Sequence, residues 1–246
     1  MNETLDSISG LGLVLRQKRA GHRVGLDAVL LAAAAGAGAR HIVDVGAGVG
    51  AVGLALARRF SEARVDLVEI DEPTAALARD NAARNGLAER VRVVVADVME
   101  AKARRAAELR EGAADLVVTN PPYYAPGETR VSPDPARARA HALTGVEALA
   151  AWLQASLALL APGGRFGLIH RPEAMPSIYA ALDRRLGDVA VRPVYPRAGE
   201  DAIRVIVTGV KGSHAPARLQ PGLVLHEADG QATPAARAIH EGRAML

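Results

Sequence analysis

The tetrapeptide Asn120-Pro121-Pro122-Tyr123 follows Leu116-Val117-Val118-Thr119, an apolar run that reads as a strand. A carboxamide oxygen and the next residue's carbonyl make two acceptors that can be aimed at one amino group, and the Tyr123 ring offers a flat face beside them. These parts suit a planar nitrogen such as an aromatic amine, a poor nucleophile because its lone pair is delocalised into its ring. If Asn120 Oδ1 and the Pro121 carbonyl each take one N–H, the nitrogen is drawn toward a tetrahedral shape and its lone pair can meet a methyl carbon. Near-attack geometry of this kind supplies up to about 7 to 11 kcal/mol. No strong base is needed, since the methylated ammonium product is itself acidic. A base stacked on Tyr123 gains about 1 to 3 kcal/mol, and a loop base is easier to capture than one held in a duplex. Tyr124 is a second candidate wall, and the alternative reading of the tetrapeptide is a rigid double-proline turn.

Upstream, Asp44-Val45-Gly46-Ala47-Gly48-Val49-Gly50-Ala51-Val52-Gly53 breaks a strand into a glycine turn and then a helix. Backbone without side chains can approach a ligand there, with helix-end N–H groups facing it. Glu69, ending the second strand, lies 21 positions beyond Gly48, the spacing at which a carboxylate meets ribose hydroxyls. The ligand is therefore expected to carry an unphosphorylated ribose. Gly48-Val49-Gly50-Ala51-Val52-Gly53 also satisfies the dinucleotide pattern, which keeps NAD in play. The longer Asp-x-Gly-x-Gly-x-Gly form resembles the turn of S-adenosylmethionine-dependent methyltransferases more closely. In that superfamily an acid placed like Asp97, at the end of the third strand, bonds the adenine amino group; otherwise Asp97 is a helix N-cap. Ala47 in the turn, Ile70 after Glu69, Val98 after Asp97 and Asn120 itself complete the expected cofactor wall. A carboxylate at Asp44 suits a ligand bearing ammonium and sulfonium charges, or else it is structural.

The elements that must position these residues alternate. β-branched runs at 41–45, 64–69, 91–95, 116–118 and 165–169 are separated by helical patterns at 51–60, 72–85, 100–110 and 145–160. Such alternation predicts a parallel sheet with helices on both faces. A turn at 161–164, a helix over 174–186 and strands over 189–194 and 202–210 bring the sheet to about seven strands. Residues 125–141 lack periodicity and read as a lid over the site.

With 246 residues the chain suits one α/β domain, and it has no cysteine for disulfides or thiolate metal sites. No apolar run approaches the 18 or so residues of a membrane span, and the N-terminus lacks a signal-peptide pattern, so a cytoplasmic location is expected. His141 is a candidate substrate contact, although the mechanism needs no histidine base; the remaining histidines, His170 included, have no ligand-like spacing, and no metal is expected. Net charge is +3. Arginine clusters at Arg104-Arg105, Arg130, Arg137 with Arg139, Arg184-Arg185 and Arg192 with Arg197 can line a phosphate-facing surface or simply form a soluble exterior.

Taken with the block 17–31 and the closing segment Leu225-His226-Glu227-Ala228-Asp229-Gly230 with Thr233-Pro234, these motifs resemble the bacterial methyltransferases that modify adenine N6 in valine tRNA. The resemblance implies a seven-stranded, mostly parallel Rossmann-like sheet, S-adenosylmethionine as donor with S-adenosylhomocysteine as product, and a tRNA substrate. It also implies that Gln17 and Arg23 cover the cofactor, whereas Asp27 can be the N-cap of a helix starting at Ala28. The expected layout is a single domain: an N-terminal extension over 1–40, a core over 41–212 and a tail over 213–246, as a monomer or homodimer. Release-factor glutamine methyltransferases share the Asn-Pro-Pro-Tyr motif but have a longer helical domain ahead of the core. A guanine-N2 RNA methyltransferase and a nucleotide-binding protein without turnover are further alternatives.

Overall fold

The computed structural model describes residues 3–19, 24–36, 38–121 and 145–246. Pro122, Tyr123, Tyr124, Arg23, His141 and the expected lid over 125–141 lie outside the described residues, as do Arg130, Arg137 and Arg139.

The chain opens with a hairpin of β1 (Glu3–Ile8) and β2 (Leu13–Lys18), joined by a short 3-10 turn. Strict alternation sends Leu13, Leu15 and Gln17 inward and leaves Val14, Arg16 and Lys18 outside. Helix α1 (Leu26–Ala34) follows. The core then runs β3 (His41–Val45), α2 (Ala51–Arg59), β4 (Arg64–Glu69), α3 (Glu72–Arg84), β5 (Val91–Val95), α4 (Ala101–Ala106) and β6 (Ala114–Thr119). It continues through α5 (Gly145–Leu159), β7 (Leu160–His170), α6 (Met175–Leu182), β8 (Leu186–Arg197) and β9 (Arg204–Lys211). Two short strands, β10 (Arg218–Leu219) and β11 (Leu223–His226), and helix α7 (Pro234–His240) close the chain.

Across the main sheet the order is β8-β9-β7-β6-β3-β4-β5, with β9 the antiparallel member. Those seven lanes are the ones expected, but the described sheet has nine strands. The difference lies at the outer edge of β8, where β10 pairs its first half and β11 its second, both parallel. Two- and four-residue strands carry too little alternation to be legible, and their pairing supplies the hydrogen bonds that an open edge would leave unmet.

Period-two alternation divides each strand between two cores. Ile42, Val65, Leu67, Leu116 and Val118 face one layer with α1, α2, α3 and α7, while Val43, Val45, Val68, Val94 and Val117 face the other with α5 and α6. Asp44 therefore points to the α2 side and Thr119 to the α5 side.

Local chemistry sets the helix ends. Asp71 caps α3, its carboxylate accepting the Thr74 N–H at 3.0 Å, with Pro73 in the first turn. Helix α4 is shorter than the pattern over 100–110 because Glu108 adopts a left-handed backbone, φ 57°, after which Leu109 turns inward. Helix α1 starts at Leu26 with Gly25 at its N-cap, so Asp27 is not the cap. Its carboxylate instead receives Arg204 Nε of β9 at 2.9 and 3.0 Å.

Candidate functional site

Strands β3, β4, β5 and β6 run parallel, so their carboxyl ends meet along one edge. Chain order reverses between β3 and β6, which opens a crevice at that edge, the usual ligand position in such sheets. Four sequence-predicted groups arrive there: the glycine turn after Val45, Glu69 at the end of β4, Asp97 just beyond β5 and Asn120 just beyond β6. Val45 is cross-strand neighbour to both Val68 and Thr119, so the glycine turn and the Asn120 turn leave adjacent lanes side by side.

The turn is wired to its surroundings. Gly46 and Ala47 N–H groups both donate to the Val68 carbonyl, at 2.9 and 3.0 Å, and Gly48 N–H donates to Glu69 Oε2 at 2.9 Å. Glu69 Oε1 accepts the Asp71 N–H at 2.9 Å. One carboxylate thus spans the turn after β3 and the start of α3 and retains acceptor capacity for hydroxyl donors. Contrary to the simple picture of turn N–H groups aimed at a ligand, these three donate to protein acceptors. What the glycines contribute is conformation and space. Gly46, Gly48 and Gly50 have φ of 72°, 57° and 91°. A methyl group on Gly46 would lie 2.7 Å from Trp152 Cζ2, and one on Gly53 would lie 2.2 Å from Leu67 Cδ2. Only beside Gly48 and not beside its neighbours at 46, 50 and 53 is the space open to 4 Å.

Asp44 is 2 % exposed, and its Oδ2 accepts the Gly53 N–H of α2 at 2.8 Å. Burial raises its carboxyl pKa to about 7; that bond opposes the shift, and the Glu69 charge adds to it. Asp97 forms a tight turn, its Oδ1 accepting the Met99 N–H at 2.9 Å, while the N-cap of α4 is Glu100. The N-cap alternative for Asp97 is therefore overturned. Ile70 is 39 % exposed next to Glu69, whereas Val98 is buried and its carbonyl is held by Arg104 at 2.7 Å. Pro121 is buried and Asn120 partly buried at the mouth of the crevice. Gln17 is 2 % exposed; its Nε2 donates to Asp6 at 2.8 Å and its Oε1 accepts the Val24 N–H at 2.9 Å. It thereby braces the segment entering α1.

Arg104 departs from the phosphate-facing reading. It is 7 % exposed and also pairs with Glu111 at 2.7 Å, which makes it a strut between α4 and the following turn. Two residues passed over in the sequence occupy the centre of the site. Thr119 is fully buried, and its hydroxyl accepts from Trp152 Nε1 at 2.9 Å while donating to the Val45 carbonyl at 2.8 Å. A hydroxyl closing a Leu-Val-Val run, and the chain's one tryptophan, were the available signals.

A mostly parallel sheet with a glycine turn and an acid at successive strand ends defines a Rossmann-like nucleotide-binding fold, and the proteins it resembles make it a class I methyltransferase. The methyltransferase small domain matches residues 26–191. A protein of Aeromonas hydrophila named tRNA1(Val) (adenine(37)-N6)-methyltransferase is 36% identical over 217 residues, 86% of each chain. A Porphyromonas gingivalis protein of the same name is 34% identical over 184 residues, 70% of this chain and 69% of that one. Among solved structures, a predicted O-methyltransferase from Agrobacterium tumefaciens superimposes with a TM-score of 0.72 at 35% identity, covering 89% of this chain and 98% of that one. M. jannaschii TYW2 in complex with AdoMet, at 15% identity and a TM-score of 0.57 over 85% of each chain, shares the fold. The chain belongs to the methyltransferase small domain family and, within it, groups with the proteins named tRNA1(Val) (adenine(37)-N6)-methyltransferase. It is an S-adenosylmethionine-dependent methyltransferase. The residues fit that cofactor: open space beside Gly48, a partly exposed carboxylate at Glu69 and a bare apolar side chain at Ile70 provide for an adenosine.

Proposed function

We propose that this chain methylates the exocyclic amino nitrogen N6 of an adenine in tRNA, with the valine tRNA named for its relatives as first candidate. One observation carries the reading: the turn bearing Asn120 and Pro121 leaves β6 directly beside the glycine turn leaving β3, its cross-strand neighbour. A donor held by one turn is then within reach of an acceptor gripped by the other.

Glu69 takes the ribose hydroxyls with its remaining lone pairs, Asp97 meets the adenine amino group, and Ile70 lies against the adenine face. Gly46, Ala47 and Gly48 shape the turn beneath, Asp44 and Val98 support it, and the segment 1–40 covers it through Arg23, with Gln17 acting indirectly by bracing the residues that enter α1. When bound, S-adenosylmethionine supplies a methyl carbon made electrophilic by its sulfonium. On the acceptor side, Asn120 Oδ1 and the Pro121 carbonyl each accept one N–H of the target amine, freeing its lone pair, and Tyr123 stacks on the base. Deprotonation of the product needs no dedicated base. The reading puts the enzyme with the tRNA pool in the cytoplasm, as a monomer or homodimer, and among the described residues no helix is long and apolar enough to cross a membrane.

The test is incubation of the purified chain with labelled S-adenosylmethionine and, separately, total tRNA or release factor, followed by nucleoside mass spectrometry. N6-methyladenosine in tRNA is expected. Label only in release factor, only in guanosine, or on a hydroxyl oxygen overturns the assignment of acceptor.

A further inference from the structure

The side chain at Trp152 joins the two halves of the site from a third direction. Helix α5 lies on the sheet face to which Thr119 points, and Trp152 projects from it between the ends of β3 and β6. Its ring packs on the bare Cα of Gly46 so closely that a methyl there would come within 2.7 Å of Cζ2. Its indole N–H reaches Thr119 at 2.9 Å, and the Thr119 hydroxyl passes on to the Val45 carbonyl at 2.8 Å. An indole nitrogen only donates and a hydroxyl carries one proton, so the chain has a single possible sense: Trp152 to Thr119 to Val45. Val45 precedes the first glycine of the cofactor turn, and Thr119 precedes Asn120. Each half of the reaction centre is thus pinned to the same tryptophan at the residue that leads into it.

Both bonds are buried at the hydroxyl, since Thr119 is fully inaccessible. A buried bond is costly to leave unmade, so the spacing between the two turns has one preferred value. We propose that Trp152 is a positioning residue for methyl transfer: through Thr119 and Gly46 it sets the separation of the acceptor-gripping turn from the cofactor turn. The inference rests on the methyltransferase reading of those turns. It predicts that Trp152 senses occupancy of the cofactor turn and that the hydroxyl of Thr119, rather than its bulk, sustains turnover.

Two measurements on the full-length chain test it. In a sample with 15N-labelled tryptophan, the one indole N–H signal exchanges slowly with solvent and shifts when S-adenosylhomocysteine is added. In Thr119→Val, which keeps shape and removes both bonds, that signal exchanges faster. An indole signal unmoved by saturating S-adenosylhomocysteine overturns the proposal whatever the acceptor proves to be. In turnover with tRNA, Thr119→Val and Trp152→Phe lower kcat by about 10- to 100-fold, the scale of a misplacement near 1 Å, with KM for S-adenosylmethionine within about threefold. Thr119→Ser, which restores the hydroxyl, returns kcat to within about threefold of wild type. Unchanged kcat in Thr119→Val and Trp152→Phe, or a loss that serine does not rescue, refutes the positioning role. A wild-type chain that binds S-adenosylhomocysteine and shifts the indole signal but leaves tRNA unmethylated refutes the proposed acceptor and leaves the positioning claim standing.

Discussion

Replacing Asn120 with alanine deletes one of the two acceptors proposed to grip the target amine. Transfer is expected to fall by at least about 100-fold, the effect of removing a group aimed at the transition state, with S-adenosylhomocysteine affinity by calorimetry within about threefold of wild type. Asp44 gives a second residue-scale expectation. Its carboxyl, pushed up to about 7 by burial, holds a proton in the free protein that an unfolded chain has lost above the ordinary value of 3.8. The folded state then binds more protons over that window, so this group favours folding at low pH and its contribution is lost as pH rises through about 7. A cofactor bearing ammonium and sulfonium charges favours the ionised carboxylate and so displaces the proton. Calorimetry at pH 6 in buffers of different ionisation enthalpy should show proton release on S-adenosylmethionine binding, diminishing above pH 8. The release should vanish in Asp44→Asn.

At the scale of elements, the glycine turn separates two roles that its pattern merges. Gly46→Ala forces both a left-handed backbone and a 2.7 Å approach to Trp152, whereas Gly48→Ala meets only the backbone penalty. The first should lower the thermal midpoint markedly. The second should cost about 1 to 2 kcal/mol of stability and show its main effect as weakened S-adenosylhomocysteine binding, because its methyl enters the open space beside the turn. At the far end of the sheet, β3, β4 and β5 are tied by charges. His41 Nε2 lies 3.1 Å from Asp66 Oδ2 and its Nδ1 lies 3.2 Å from the Ala113 carbonyl, while Arg92 holds Asp66 at 2.7 and 2.9 Å. Two acceptors around one imidazole favour the imidazolium, and Asp66 foremost raises the His41 pKa above 6.5. The resulting stability is present in full below 6.5 and is lost as pH rises through the raised value. Unfolding free energies from urea titration should put wild type above His41→Asn by up to about 1 kcal/mol at pH 6, the range of a partly exposed pair, and by less at pH 9.

Across the whole molecule, the C-terminal residues belong to the main core. Leu223 and Leu225 of β11 and Ile239 of α7 are 5, 4 and 3 % exposed, and the Leu246 N–H bonds the Ala33 carbonyl of α1 at 3.1 Å. Burying three such side chains contributes roughly 5 to 9 kcal/mol, comparable with the whole stability of a domain. Deleting residues 213–246 should therefore give a chain without a cooperative melt by circular dichroism, rather than a folded enzyme with altered specificity.

The parallel core was legible in the amino-acid order because its signals are local. Runs such as His41–Val45 and Arg64–Glu69 alternate with helical patterns, and Asp71 or Gly46 marks each boundary by a conformational preference that needs no distant partner. The same locality let the Asn-Pro-Pro-Tyr motif and the acid 21 positions beyond Gly48 point to the chemistry. Contacts between distant segments decided the rest. Asp27 binds Arg204 across 177 positions, and β10 with β11 closes an edge that no periodicity announced. Thr119 and Trp152 stand 33 positions apart and meet only because a strand and a helix pack face to face. Side-chain type and spacing specify what a segment prefers to be and which groups it carries; which of those groups share a hydrogen bond depends on how the layers pack.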